Sequence, residues 1–256
     1  MLTELVSGAV EDSNARAIGR PLAIVETAAR ERTPAIDAIA ALVPAERVKI
    51  IAEVKRASPS RGSLAAIPDP ALLARSYQHA GASAISVLTE GRKFLGSLAD
   101  LEAVRAAVTV PVLRKDFISN AYQVFEARAA GADIVLLIVA ALDQPTLVSL
   151  HELSTRLGMA TLVETHSAEE ISRGLDAGAR LLGVNARNLT TFELDRDLFG
   201  SLADRIPSGV IRVAESAVST AADVAHYRNA GADIVLVGEA LVTSDPRTTL
   251  TEFLAV

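Results

Sequence analysis

From residue 49 onward, short apolar runs alternate with amphipathic stretches of helical period. The runs occupy residues 49–56, 84–90, 111–117, 134–140, 160–166, 181–187, 211–217 and 234–240, and their starts lie 21 to 35 residues apart. That spacing leaves room for a crossover helix after each run. Nearly continuous apolar strands separated by helices indicate a parallel sheet covered on its outer face. An internal repeat supports the count. Ala80-Gly-Ala-Ser, Ala130-Gly-Ala-Asp, Ala177-Gly-Ala-Arg and Ala230-Gly-Ala-Asp each precede an even-numbered run. Their glycines sit where a helix should end, a position that favours the left-handed cap conformation. A two-unit period carried through eight strands predicts a closed (β/α)8 TIM barrel, an α/β fold, in one domain of residues 1–256. A doubly wound open sheet is the alternative. It rarely has eight such even units, and no Gly-x-Gly-x-x-Gly follows the first run. Upstream, residues 2–17 and 36–42 read as helical patches without a motif. Residues 1–48 are therefore expected to form an N-terminal helical extension packed on the barrel.

Polar residues interrupt this pattern mainly near the ends of the runs. The first run opens Lys49-Ile-Ile-Ala-Glu-Val-Lys and passes into a loop rich in Ser, Pro and Gly. Strand side chains alternate faces, so Glu53 and Lys55 point the same way. A carboxylate and an ammonium at the end of a buried strand are unfavourable unless paired or used. For these two alone, a structural ion pair explains them equally well. Other runs end in Glu90, in Lys115 and Asp116, in Glu164, in Asn185 and Arg187, in Glu215 and Ser216, and in Gly238 and Glu239, whereas residues 134–140 offer almost nothing polar. Active sites of this barrel lie at the C-terminal ends of the strands. Glu53, Lys55, Lys115, Glu164 and Asn185 are thus expected to converge on one mouth, where paired lysines and glutamates can donate and accept protons. Asp116 alternates to the opposite face and reads as structural. Small residues in Glu215-Ser-Ala-Val-Ser and Val237-Gly-Glu-Ala fit a phosphate site made of backbone N–H groups, with the Glu239 carboxylate turned away. Phe94 and Phe117 either stack on an aromatic substrate or anchor loops. His79, His151, His166 and His226 show no metal-ligand spacing, and His166, two residues past Glu164, reads as structural.

Composition narrows the class. Half of the 256 residues are hydrophobic, enough for a sizeable core. There is no cysteine, hence no disulfide framework and no thiolate site. The longest apolar run, residues 134–142, is too short to cross a bilayer. The first residues lack the basic flank and apolar core of a signal peptide, so a cytoplasmic protein is expected. A net charge of −6, few aromatics and no basic block argue against nucleic-acid binding. Of 25 basic residues only four are lysines, Lys49, Lys55, Lys93 and Lys115. Where arginine would serve, this chain uses arginine. A retained lysine points to what arginine cannot do, which is to give up a proton.

The most specific stretch is Ile51-Ala-Glu-Val-Lys-Arg-Ala-Ser-Pro-Ser60. After it, in order, come Thr89-Glu90 with Phe94 and Gly96-Ser97, Val112-Leu-Arg-Lys-Asp-Phe117, Leu162-Val-Glu164, Gly183-Val-Asn-Ala-Arg187, Val213-Ala-Glu-Ser216 and Val237-Gly-Glu239. Together they resemble the indole-3-glycerol-phosphate synthase family of tryptophan biosynthesis over nearly the whole chain from residue 49. The resemblance implies closure of the indole ring of 1-(2-carboxyphenylamino)-1-deoxyribulose 5-phosphate with loss of carbon dioxide and water. It implies no cofactor and no metal, and a small phosphosugar-anthranilate substrate as partner of a monomeric chain. By the same resemblance Lys115 is the general acid at the substrate carbonyl and Glu164 its partner on the anilino side. Lys55 serves the dehydration, while Glu53 and Asn185 orient the lysines. Ser58, Phe94, Phe117, Arg187 and Glu215 contact substrate, and Ser216, Ala217, Gly238 and Glu239 hold the phosphate. One departure stands out. The family usually has glycine after Glu-Ser in the seventh strand, where this chain has Ala217; a positive φ there would strain alanine.

Two other readings remain. Another phosphosugar barrel is one, either phosphoribosylanthranilate isomerase or a Schiff-base aldolase, the latter trapping substrate covalently at Lys55 or Lys115. A non-catalytic phosphosugar-binding barrel is the other, but a mere binder has no reason to hold several proton-transfer groups.

Overall fold

The two faces of each strand carry different residues, and that alternation organises the computed structural model, which describes residues 1–189, 191 and 193–256. Its principal strands are β1 (Lys49–Val54), β2 (Ala84–Leu88), β3 (Val112–Lys115), β4 (Ile134–Ile138), β5 (Ala160–Thr165), β6 (Leu181–Asn185), β7 (Ile211–Glu215) and β8 (Ile234–Val237). Among the described residues they form a closed parallel barrel in which each strand pairs with its sequence neighbours. β8 closes on β1 from Lys49↔Ile234 to Ala52↔Val237. Ile50, Ala52, Val54, Val163, Val184 and Val235 face outward into the layer beneath the helices. Ile51, Leu113, Leu136, Leu162, Val213 and Leu236 face inward and fill the barrel. Apolar residues on both faces explain the nearly unbroken hydrophobic runs of the sequence.

The crossover helices are α4 (Pro70–His79), α5 (Leu98–Ala107), α6 (Ala121–Ala130), α7 (Gln144–Arg156), α8 (Ala168–Asp176), α9 (Leu198–Leu202), α10 (Ala221–Asn229), α11 (Glu239–Val242) and α12 (Pro246–Leu254). Asp69, Ser97, Asn120, Asp143, Ser167, Thr220 and Asp245 begin seven of them, each side chain accepting a backbone N–H from the first turn. Such caps satisfy donors that the helix itself leaves open. The four repeat glycines end α4, α6, α8 and α10 with φ of 103°, 98°, 93° and 95° in chain order, as the repeat predicts.

Ahead of the barrel lie α1 (Leu2–Gly19), α2 (Leu22–Glu31) and α3 (Ala38–Ala41). The helical patches expected at 2–17 and 36–42 correspond to α1 and α3. The sequence reading missed α2, whose buried stripe is only Val25 and Ala29, packed on Phe125 and Ala129 of α6. The helical period is present, with Val25 and Ala29 four residues apart on one face, but the segment is only ten residues long and carries no motif. α3 seals the barrel at the start of β1: Ala38 and Leu42 join the inner core, and Lys49 Nζ donates to the Ala41 carbonyl at 2.8 Å. α1 is tied to α6 by Arg16, whose guanidinium forks onto Glu126 at 2.6 and 2.8 Å.

Candidate active site

Following the inward face one step past the apolar layer leads directly to charged residues. Glu53 and Lys55 lie beyond Ile51, Lys115 beyond Leu113, Glu164 beyond Leu162, Asn185 beyond Gly183, Glu215 beyond Val213 and Gly238 beyond Leu236. These residues line a cavity of about 380 Å³ at the C-terminal ends of the strands. Ser58, Phe94, Phe117, Arg187, Ser216, Ala217 and Glu239 line the same cavity, so all fourteen residues singled out from the sequence meet there. Asp116 also borders it, but its carboxylate is engaged on the outer side, accepting from Thr89 Oγ1 at 2.6 Å and from Arg114 Nη2 at 3.0 Å. That matches its structural reading.

Two lysines and three glutamates share the mouth. Lys55 Nζ lies 2.9 Å from Glu53 Oε1, and Ser86 Oγ donates to Glu53 Oε2 at 3.2 Å. Lys115 Nζ lies 3.2 Å from Glu164 Oε2 and 3.5 Å from Glu215 Oε2. Burial alone would push the Lys115 ammonium toward neutrality, but the Glu164, Glu215 and Glu53 carboxylates outweigh it and raise its pKa. Burial would raise Glu53 and Glu164 as well; the lysines overcome that and hold both below the usual carboxylate range. One ammonium cannot hold two carboxylates ionised in a dry pocket. Glu215 therefore takes the proton, pushed up to about 8 by burial and by the neighbouring Glu164 charge.

A stability signature follows. The folded protein keeps Glu215 protonated between the ordinary glutamate range and about 8, where the unfolded chain has lost that proton. The fold binds more protons there, so this group's contribution to stability falls as pH rises through that window. Glu215→Gln should flatten that part of the stability–pH curve, read from urea midpoints at pH 5, 6.5 and 8. A curve as steep as the parent's would assign the slope to another group.

The turn after β7 carries Ser216 at φ 69° and Ala217 at φ 58°, two successive residues in the left-handed region. Alanine is strained there by about 1 kcal/mol. Ala217→Gly is expected to raise stability by about that amount, measured as a shift in urea midpoint, while kcat stays within a fewfold. A large change in kcat would mean that the alanine sets the geometry of the turn. The Ser216 hydroxyl donates to Asn185 Oδ1 at 2.7 Å, linking β7 to β6. The Glu239 carboxylate is held by Arg61 Nη2 at 2.5 Å, which leaves the Gly238–Glu239 backbone facing the cavity wall.

Aromatic residues close the other side. The Phe94 and Phe117 rings are 6.1 Å apart and tilted by 42°. Glu90 shapes the loop that presents Phe94, accepting the backbone N–H groups of Arg92, Lys93 and Phe94 at 2.8, 2.7 and 2.9 Å. Lining residues that the sequence reading did not assign include Leu5 of α1, Arg61, and the apolar patch of Leu136 and Ile138. Nothing in the periodicity of α1 says which barrel end it will meet. His166 was set aside as structural, yet its ring stands 3.7 Å from Glu164.

A family model described as indole-3-glycerol phosphate synthase matches residues 2–253. The chain is 68% identical over 256 residues to an indole-3-glycerol phosphate synthase of Leifsonia xyli subsp. xyli, covering 100% of this chain and 98% of that one. A protein of the same description from Mycobacteroides abscessus is 57% identical over 248 residues, covering 96% and 91%. Among solved structures, 3-hexulose-6-phosphate synthase from Salmonella typhimurium superposes with a TM-score of 0.63 at 16% identity, covering 81% of this chain and 97% of that one. Thiamine phosphate pyrophosphorylase from Pyrococcus furiosus gives 0.60 at 15%, covering 80% and 93%. At such identities these two share the fold alone.

Proposed function

Because this chain belongs to the indole-3-glycerol phosphate synthase family, we propose that its mouth residues divide the work of that family's ring closure as follows. The reaction is that of a carboxy-lyase in tryptophan biosynthesis: 1-(2-carboxyphenylamino)-1-deoxyribulose 5-phosphate becomes indole-3-glycerol phosphate, carbon dioxide and water. The aromatic carbon bearing the carboxylate attacks the ketone carbon, and a C–C bond forms. The ketone oxygen gathers negative charge and takes a proton from Lys115. An ammonium held so firmly protonated in the free site still yields its proton to an alkoxide, which is a stronger base than an amine. The bond to the carboxyl carbon then breaks, its electron pair restores the aromatic ring, and carbon dioxide leaves. In the last step the new hydroxyl departs as water with a proton from Lys55, while Glu164, on the anilino side, accepts a proton from the methylene carbon bonded to the nitrogen, whose electron pair forms the C=C bond of the indole.

The remaining groups position and bind. Glu53 holds Lys55 at 2.9 Å, and Asn185 is fixed between the Ser216 hydroxyl and the Arg187 backbone N–H, at 2.7 and 3.0 Å. Neutral Glu215 can donate a hydrogen bond to the substrate. Phe94 and Phe117 receive the anthranilate ring, Ser58 and Arg187 contact the polar groups, and the Ser216–Ala217 and Gly238–Glu239 backbones take the phosphate. The same reading treats residues 1–256 as one domain, acting as a monomer in the cytoplasm; every assigned group comes from one copy. Among the described residues no helix is long and apolar enough to cross a membrane. The observation that carries these assignments is Lys115 ringed by Glu164, Glu215 and Glu53 at the barrel mouth.

The test is direct. The protein is mixed with the substrate in EDTA and the rise of indole absorbance and fluorescence is followed; the chain has no tryptophan, so the background is low. A signal that Lys115→Ala abolishes supports the assignment. Borohydride trapping of substrate on Lys55 or Lys115 would replace it with Schiff-base chemistry.

A further inference from the structure

His166 directly follows β5, behind the cavity wall that Glu164 forms. Its backbone N–H donates to Glu170 Oε2 at 2.7 Å, and its ring Nδ1 lies 3.3 Å from the same oxygen. Glu170 is itself fixed in the first turn of α8, which Ser167 caps. The opposite ring nitrogen, Nε2, lies 3.7 Å from Glu164 Oε1. Both of these atoms are buried without a hydrogen-bond partner, as are the two carboxyl oxygens of Glu215 on the far side of Glu164. Leaving two complementary buried polar atoms unpaired is unfavourable unless they serve each other. Glu164 meanwhile uses its other oxygen, Oε2, to accept from Lys115.

We propose that His166 is a positioning residue for ring closure: anchored by Glu170, it holds the Glu164 carboxylate as an anion between its own Nε2–H and Lys115. The inference rests on the role given above to Glu164. A protonated ring has two donors, one for each flanking carboxylate, whereas a neutral ring must leave one of them unserved. Apo hydrogen bonds in active sites are often long and tighten when substrate binds, so a gap of 3.7 Å suits a contact completed in the complex. The charged groups facing the ring are Glu170 from α8, Glu164 from β5 and Lys115 from β3. Burial and Lys115 disfavour charge on it; Glu170 and Glu164 outweigh them and raise its pKa. Beyond Glu164 lies Glu215, which is protonated below about 8.

The experiment is the pH dependence of kcat for the parent, His166→Gln and Glu164→Gln. Without the imidazolium, Glu164 gains its proton more readily, so the acid limb of His166→Gln is expected to move up by about half a pH unit or more with little change in KM. A purely structural histidine would lower kcat equally at every pH. Profiles that superimpose after scaling therefore overturn the inference, as does a shift to lower pH. If Glu164→Gln is inactive while the His166→Gln profile does not move, this inference alone fails. If Glu164→Gln turns over like the parent, the reading of Glu164 fails and this inference with it. A second measurement needs no variant to fold. In the 15N NMR titration of the parent, the His166 ring should keep both protons above the ordinary histidine midpoint of about 6.5. A midpoint at or below that value overturns the proposal.

Discussion

Lys115→Ala is expected to lower kcat by roughly 1,000-fold or more and to change substrate affinity by less than tenfold. General acid catalysis by one positioned group contributes about 10²–10⁴-fold, and Lys115 is the ammonium nearest both Glu164 and Glu215. Binding should survive because the aromatic pair, Arg187 and the turns after β7 and β8 come from other parts of the wall. The removed charge has an electrostatic consequence too: Glu53, Glu164 and Glu215 lose the cation that favours their ionised forms. A second variant separates charge from proton transfer. Lys115→Arg keeps a cation but cannot release a proton at accessible pH, so it should be nearly as inactive as alanine. Steady-state kinetics and calorimetric titration with substrate check both. Alanine turnover within tenfold of the parent would remove Lys115 from its role.

Gly238→Ala is expected to disrupt the barrel mouth through a single methyl group. A Cβ at this position would lie 2.5 Å from Glu53 Oε1 and 2.9 Å from Lys55 Nζ, closer than atoms pack. Glu53 cannot simply swing away, because it is buried on the inner wall and bonded to Ser86. The Lys55–Glu53 pair must open or the Gly238–Glu239 turn must retreat. A displacement of about 1 Å at a reacting group can lower the rate about 100-fold, and kcat should fall by at least that much. KM should rise as well, since the same turn is assigned to the phosphate. The signature to look for is a combined change in both constants with an unaltered circular dichroism spectrum. Parent-like kinetics would mean that the pair can relax, and that its geometry is not what the step requires.

Strand parity is what made the site legible. Glu53 with Lys55, and Lys115 against Asp116, are separated by face through a period of two, and a period survives any detail of packing. Barrel closure then brought residues more than a hundred positions apart to one rim. What parity cannot supply is the company a residue keeps across the barrel. The proton on Glu215 arises from its burial and from Glu164 on a different strand, and no local pattern encodes either. The same holds for Leu5, which reaches the mouth from α1, and for the pairing of the His166 ring with Glu170 of α8. At Ala217 the sequence posed a question with two answers, and φ of 58° chose the strained one. α2 packs Val25, Ala28 and Ala29 on Tyr122, Phe125 and Ala129 of α6, and a short amphipathic segment with no motif beside it did not stand out in the sequence.

The groups proposed for acid–base work sit on or directly after barrel strands, whereas Phe94 and Arg61 stand on loops and Ser58 on a short hairpin between β1 and α4. Strands locked into a closed barrel change little when a connecting loop changes length or composition. Under the proposed assignments, reaction type and molecular preference are thus written on separately editable stretches of the chain. Over generations, such a protein can try new ring substituents or tail lengths by drift in its connectors while the bond-making apparatus is inherited intact. Directed diversification aimed at the segments 56–63 and 91–97 should yield many functional clones, and the same mutational load spread over residues 51–55 and 112–115 should yield few.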